Sequence, residues 1–291
     1  MTLSENAYAK INLYLHVTGK RADGYHLLDS LVVFSDACDC LDVSDTGAAG
    51  LSITGPFSAT LASDSSDDNL VIRAAKLHAV ASDQSFCKHL ILEKNLPVAS
   101  GIGGGSSDAA AALRLLNRTG GSALPFETLL SLGEKLGADV PVCIAQDAAR
   151  MSGIGEILTP APKLPNCGMV LINPGTGVST PEVFRARQGD FTPPPELPAG
   201  WSDTISMCAD LARTTNDLEE PAGAICPPIL DVLAALRSLP GCRLARMSGS
   251  GATCFALFDS PDAARHAVTT HRKSLENPGW WVHAGGLAKA I

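Results

Sequence analysis

A run of glycine and serine set between a short apolar strand and an alanine-rich helix constrains this chain more than any other feature. It reads Leu96-Pro97-Val98-Ala99-Ser100-Gly101-Ile102-Gly103-Gly104-Gly105-Ser106-Ser107-Asp108. Residues without Cβ let backbone N–H groups close in on an anion. A helix starting there adds unpaired N–H donors and a partial positive charge. Together these make a cradle for a polyphosphate. The pattern predicts a helix over 107–116, with Ser106 and Ser107 available to cap it or to contact phosphate and a metal ion. Asp108 would repel phosphate if it faced the ligand, so it is expected to point away or toward a cation. A flexible linker or tight turn is the plainer reading, but linkers rarely run from a strand straight into an Ala-rich helix.

Familiar phosphate loops do not match. A Walker A motif ends in Gly-Lys-Ser/Thr, and no lysine stands there. A dinucleotide fingerprint needs a third glycine at position 106, which is serine. A protein-kinase loop would need its lysine, His-Arg-Asp and Asp-Phe-Gly partners, which the chain lacks.

Charge narrows the ligand class. The net charge is −8 with a pI near 5.3, and there is no Lys/Arg-rich run, which argues against a nucleic-acid partner. A phosphorylated small molecule can still be held locally by one or two lysines and a helix N-terminus. The nine cysteines are scattered, and Cys38-x-Cys40 has no second pair at metal-ligand spacing. They read as reduced, mostly packed thiols, and no protein metal site is expected. The first ten residues lack the basic and apolar regions of a signal peptide. No apolar run approaches the ~18 residues of a membrane span. A cytoplasmic protein without membrane partners is the expectation.

The length of 291 residues suggests roughly two domains of about 150 residues. Strands are expected at 7–18, where Ile11, Leu13, Leu15 and Val17 alternate with polar neighbours, and at 25–34, 39–43, 51–54 and 89–93. A helix over 69–80 would bury Leu70, Ala74, Leu77 and Val80. Another, over 126–136, would end at a Gly137 cap, followed by a short apolar segment at 140–144. Pro160, Pro162 and Pro165 then interrupt regular structure. Beyond them the pattern gives strands at 168–172 and 254–258, helices at 229–236 and 261–269, a proline-rich loop at 191–200, and a possible edge at 283–287. The fold class is therefore α+β, with domains at 1–155 and 156–291.

Three further features carry chemistry. Lys10 lies in the otherwise apolar first strand, where burial without a partner is costly; it is either an edge lysine reaching solvent or half of a pair. Asp139, in Leu136-Gly137-Ala138-Asp139-Val140-Pro141, follows a helix end that gives its charge nothing. It is either a turn aspartate or the partner of Lys10. Ser248-Gly249-Ser250-Gly251-Ala252-Thr253 is a second glycine-rich turn before a strand, able to close its backbone over a ligand.

In order and spacing, these three stretches resemble the three motifs of the GHMP kinase superfamily, the galactokinase, homoserine, mevalonate and phosphomevalonate kinases. Asp23-Gly24-Tyr25-His26, Gly137-Ala138-Asp139-Val140-Pro141 and Asn216-Asp217-Leu218-Glu219 add a resemblance to the branch acting on a cytidine-diphosphate sugar alcohol in the non-mevalonate route to isoprenoid precursors. The resemblance implies a two-domain fold, with an N-terminal ribosomal-protein-S5-domain-2-like domain and a C-terminal ferredoxin-like α/β domain. It implies transfer of the γ-phosphate of ATP to the substrate's C2 hydroxyl, with ATP and Mg²⁺ as cofactors, in a monomer or homodimer. Asp139 would accept the hydroxyl proton, and Lys10 would support that carboxylate's charge and make the hydroxyl more acidic. Lys94, Pro97, Gly101, Gly103, Gly104, Gly105, Ser106 and Ser107 would hold the ATP phosphates. Tyr25 and Phe184 would sandwich the cytosine, His26 would bond its edge, and Asn12, Thr180, Gly249 and Gly251 would fix the rest of the substrate. A homoserine- or mevalonate-type kinase is the alternative, as is a non-catalytic ligand sensor of the same fold, although a sensor needs no proton acceptor.

Overall fold

The computed structural model describes residues 3–44, 48–61, 68–120 and 123–288. Two sheets organise it. The first is built from β1 (Leu3–Lys20), β2 (His26–Ser44), β3 (Gly50–Thr54), β4 (His89–Glu93), β5 (Ala149–Gly153) and β6 (Ile157–Pro160). It runs in the order β3-β4-β2-β5-β6, with β1 paired to β2; only the β3–β4 pair is parallel. Against it lie α1 (Ser58–Leu61), α2 (Leu70–Ala81), α3 (Gly104–Thr119), α4 (Phe126–Glu134) and α5 (Val140–Ala145).

The segments 25–34 and 39–43, expected as separate strands, are one strand of 19 residues. Ser35 and Ala37 stay buried through the join, and Asp39 is held there by hydrogen bonds, so the polar interruption does not break pairing. Helix α2 starts from an Asn69 side-chain cap. It buries Val71, Ala74, Ala75 and His78 and packs Leu70 and Leu77 against the core; of the expected face only Val80, 82% exposed, turns to solvent. Helix α4 ends near Glu134, and Gly137 is not its cap. The apolar segment at 140–144 forms helix α5, so Asp139 begins a helix instead of merely following one.

Helix α3 is the centre of the first layer. Ala109, Ala110, Ala111, Ala112 and Leu113 are all fully buried, enclosed by β1, β2, α2 and α5. Arg114, Asn117 and Arg118 form its polar outer side. Alanine at four successive positions is what allows the backbone of α3 to approach the sheet this closely.

The second unit contains β7 (Gly168–Asn173), α6 (Thr180–Ala186), α7 (Thr204–Leu211), α8 (Glu219–Ile225), α9 (Pro228–Ser238), β8 (Leu244–Met247), β9 (Cys254–Phe258), α10 (Pro261–Thr270), α11 (Arg272–Leu275) and β10 (Trp281–Gly286). Its four strands are antiparallel in the order β10-β7-β9-β8. Helices fall between the first and second strands and between the third and fourth, which is the βαββαβ arrangement of ferredoxin-like domains. The expected edge strand is β10. The hairpin β5–β6 spans the position 155/156, so the passage between sheets lies in the proline-interrupted stretch 161–167. The nine cysteines are free thiols, and among the described residues no helix is long and apolar enough to cross a membrane.

Candidate active site

The two units meet at a cleft of about 790 Å³, lined by β1, the glycine-rich loop, the start of α3, Asp139 and the N-terminal part of α6. Lys10 is on its floor and only 5% exposed. Its Nζ lies 2.9 Å from Asp139 Oδ2 and 3.1 Å from Asn12 Oδ1. The buried ammonium thus has the partner that its strand position demanded, and it is no edge lysine. Asn12 is itself held, donating from Nδ2 to Ser30 Oγ at 2.8 Å and from its backbone N to Ser248 Oγ at 3.1 Å.

Asp139 arrives from the opposite side. Its position depends on tight packing of α4 against α5, since a Cβ at Gly133 would lie 2.7 Å from Ile144 Cδ1. Its side chain remains about one-third exposed, open to the cleft. A carboxylate paired with a buried ammonium and still open to a ligand can accept a hydroxyl proton while the ammonium balances its charge.

The glycine-rich loop brings the cradle to this pair. Lys10 N donates to Ile102 O at 2.9 Å, tying loop to strand. Gly103 has φ +64°, and a Cβ there would stand 3.3 Å from the Lys10 side chain. Helix α3 starts immediately afterwards, three residues earlier than expected, with Gly103 in the left-handed region as its N-cap. Gly104, Gly105 and Ser106 therefore supply first-turn N–H groups to the cleft. The serines do not cap the helix. Ser107 is buried and donates to Tyr8 O at 2.7 Å, so it ties α3 to β1 and does not line the cleft, whereas Ser106 and Pro97 do.

Lys94 lines the cleft beside the cradle, where a Cβ on Gly104 would lie 3.2 Å from its Nζ, and its charge is already shared by two carboxylates. It is 2% exposed, and its ammonium pairs with Asp39 and, at 2.8 Å, with Asp108 Oδ2. Asp108 thus points to a cation. Burial, reinforced by the charge of Asp39, pushes the Asp108 carboxyl up to about 7. Asp39 Oδ1 also accepts from Asn95 N at 2.6 Å and Leu96 N at 2.8 Å, anchoring the residues that lead into the loop. The sequence reading missed Asp39; a carboxylate inside an apolar strand was the signal, the same one that marked Lys10.

The second glycine-rich turn packs against the first. A Cβ on Gly101 (φ +74°) would lie 2.5 Å from Ser248 O and 2.6 Å from Gly251 O. Gly249 lines the cleft, whereas Gly251 faces Met247 and Ile229 behind it. Gly101→Ala is expected to destabilise the protein by about 2 kcal/mol or more, from left-handed strain plus a backbone overlap that no side-chain shift relieves. A lowered urea midpoint at constant slope is the check; an unchanged midpoint would show that the two turns can separate freely.

At the other end of the cleft, Thr180 Oγ1 lies 2.6 Å from Ser250 Oγ, and Phe184 lines the wall. The Phe184 ring stacks on His26 with centroids 5.0 Å apart and an 18° tilt. Tyr25 is 62% exposed, and neither it nor His26 lines the cleft. Burial, then the nearby Lys20 and Arg187 charges, hold the His26 imidazole below its usual range. The ring is neutral at pH 7, offering one donor and one acceptor.

Comparison with known proteins follows the same outline. Residues 69–147 match the family model described as GHMP kinases N terminal domain, and residues 203–277 that of GHMP kinases C terminal. The 4-diphosphocytidyl-2-C-methyl-D-erythritol kinase of Gluconacetobacter diazotrophicus is 60% identical, covering 98% of this chain and 95% of the relative. That of Granulibacter bethesdensis is 52% identical over 97% and 94%. A crystal structure of 4-(cytidine 5'-diphospho)-2C-methyl-D-erythritol kinase superposes with a TM-score of 0.79 at 35% identity, covering 99% of this chain and 100% of that one. Homoserine kinase from Cytophaga hutchinsonii shares the fold, with a TM-score of 0.69 at 16% identity over 98% and 95%.

Proposed function

The chain belongs to the GHMP kinase family, and from that premise we propose how its cleft works as a 4-diphosphocytidyl-2-C-methyl-D-erythritol kinase, which transfers the γ-phosphate of ATP to the C2 hydroxyl of its substrate and leaves the 2-phosphate and ADP. This is a step of the methylerythritol phosphate route to isoprenoid precursors. The observation that carries the mechanism is the Lys10–Asp139 pair beside Gly103, where the phosphate cradle begins.

Phosphoryl transfer asks a protein mainly for positioning and charge stabilisation. The N–H groups of Gly104, Gly105 and Ser106, at the start of a 16-residue helix, face the phosphates. Asp139 takes the hydroxyl proton as the oxygen attacks, and Lys10 offsets the charge that develops. Mg²⁺ accompanies the ATP phosphates and neutralises their oxygens when bound. Ser106 Oγ is a cleft oxygen that would be able to face it. Thr180 and Gly249 line the substrate half. The cytosine lies at Phe184, with His26 bonding its edge and Tyr25 closing over it from outside. The surroundings of this reaction are cytoplasmic, and the protein acts as a monomer or homodimer.

The test is ADP release with Mg-ATP and 4-diphosphocytidyl-2-C-methyl-D-erythritol, with mevalonate, homoserine and galactose as controls. Turnover of a control and not of the cytidyl compound would overturn the assignment. Tyr25→Ala is expected to raise KM for the cytidyl substrate roughly threefold to tenfold, the worth of one aromatic stack, while KM for ATP changes less than about twofold. Equal increases in both would remove Tyr25 from the base site.

A further inference from the structure

The Asn216-Asp217-Leu218-Glu219 segment takes no part in the chemistry described above, yet its polar side chains are almost wholly engaged. The backbone of 215–217 runs beside β1: Leu15 N donates to Thr215 O and Asp217 N donates to Leu15 O, both at 2.9 Å. Asp217 Oδ2 accepts from Val17 N at 2.8 Å, farther along the same strand. From the other unit, Glu219 Oε2 accepts from Met247 N at 2.8 Å. Between them Asn216, 6% exposed, donates from Nδ2 to Met247 O and to Gly249 O, both at 2.8 Å, and accepts from Leu218 N at 3.0 Å. Both donors and the acceptor of one buried amide are thus used.

We propose that this segment is a clasp that positions the Lys10–Asp139 pair through the second glycine-rich turn, with Asn216 as its central positioning residue. Asn216 holds Gly249 in its left-handed conformation, φ +56°, where a Cβ would lie 2.8 Å from Gly101 O. The neighbouring Ser248 hydroxyl then accepts from Asn12 N and donates to Gly101 O, both at 3.1 Å. Asn12 in turn orients the Lys10 ammonium. Only an amide can serve here. A carboxylate would set negative charge against two carbonyl oxygens, and an apolar residue would leave both carbonyls buried and unpaired.

The inference rests on the kinase reading, so wild-type turnover is measured first. An inert wild type would overturn that reading and the clasp with it, whereas an active wild type isolates the clasp. Asn216→Ala is expected to lower kcat tenfold to about a hundredfold, as expected for a remote change that displaces reacting groups by about 1 Å. KM for both substrates should stay within about threefold. In an Asn12→Ala background the same substitution should lower kcat less than about threefold, because residues acting through one another are not additive. An Asn216→Ala enzyme with kcat within twofold of wild type, or with its full loss kept in the Asn12→Ala background, overturns the proposal. Ser248→Ala cuts the path without disturbing the Asn216 bonds, so it keeps the test decisive should Asn216→Ala fail to fold. It is expected to reproduce the drop in kcat, and an unchanged kcat overturns the clasp.

Discussion

Asp139→Asn is expected to lower kcat by about 10²–10⁴-fold, the range for removing a positioned acid–base group, with ATP binding and both KM values little changed. The amide keeps the shape of the carboxylate and can still accept from the Lys10 ammonium 2.9 Å away in the native pair. What it loses is the ability to take a proton. Steady-state ADP release together with calorimetric ATP binding separates the two. A kcat within about threefold of wild type would mean that the hydroxyl gives up its proton without Asp139, leaving the pair an electrostatic role alone. Lys10→Met should be similarly impaired, and combining the two substitutions should add little, because the pair works as one unit.

Lys94→Met is expected to be the most destabilising single change in the first layer, at about 3–5 kcal/mol, the usual result of removing one partner from a buried ion pair. Asp39 is wholly buried and Asp108 is 3% exposed, so without the ammonium two carboxylates would face each other away from water. Asp39 also holds Asn95 N and Leu96 N, so the loop should loosen and ATP binding weaken along with stability. Urea unfolding at constant slope measures the first effect and calorimetry the second. Asp108→Asn should be far milder. Its carboxyl is already pushed up to about 7 by burial, its Oδ1 has no hydrogen-bond partner, and the change leaves a simple Lys94–Asp39 pair. A Lys94→Met protein as stable as wild type that nevertheless loses ATP affinity would return Lys94 to the role of direct phosphate ligand.

Local patterns determined much of this protein. Alternation marked β1, and glycine with alanine marked the loop and the helix behind it. The order of three glycine- and lysine-bearing stretches pointed to the kinase fold. Lys10 and Asp139 were legible as candidates because each is a charge that its local surroundings do not explain. Their pairing was not, since nothing in the 128 positions that separate them states a distance. Helix ends were misplaced where tertiary packing overrode turn chemistry: α3 begins at Gly104 because Gly103 fits tightly against Lys10, and α5 forms because Gly133 lets it pack onto α4. The tertiary structure alone decided the partners of Lys94, which lines the cleft beside Gly104 and is paired there with Asp39 and Asp108. It alone decided that the second glycine-rich turn braces the first. The physical reason is the same in each case. Sequence reports which groups would be costly to bury alone, and only the fold determines which partner satisfies them.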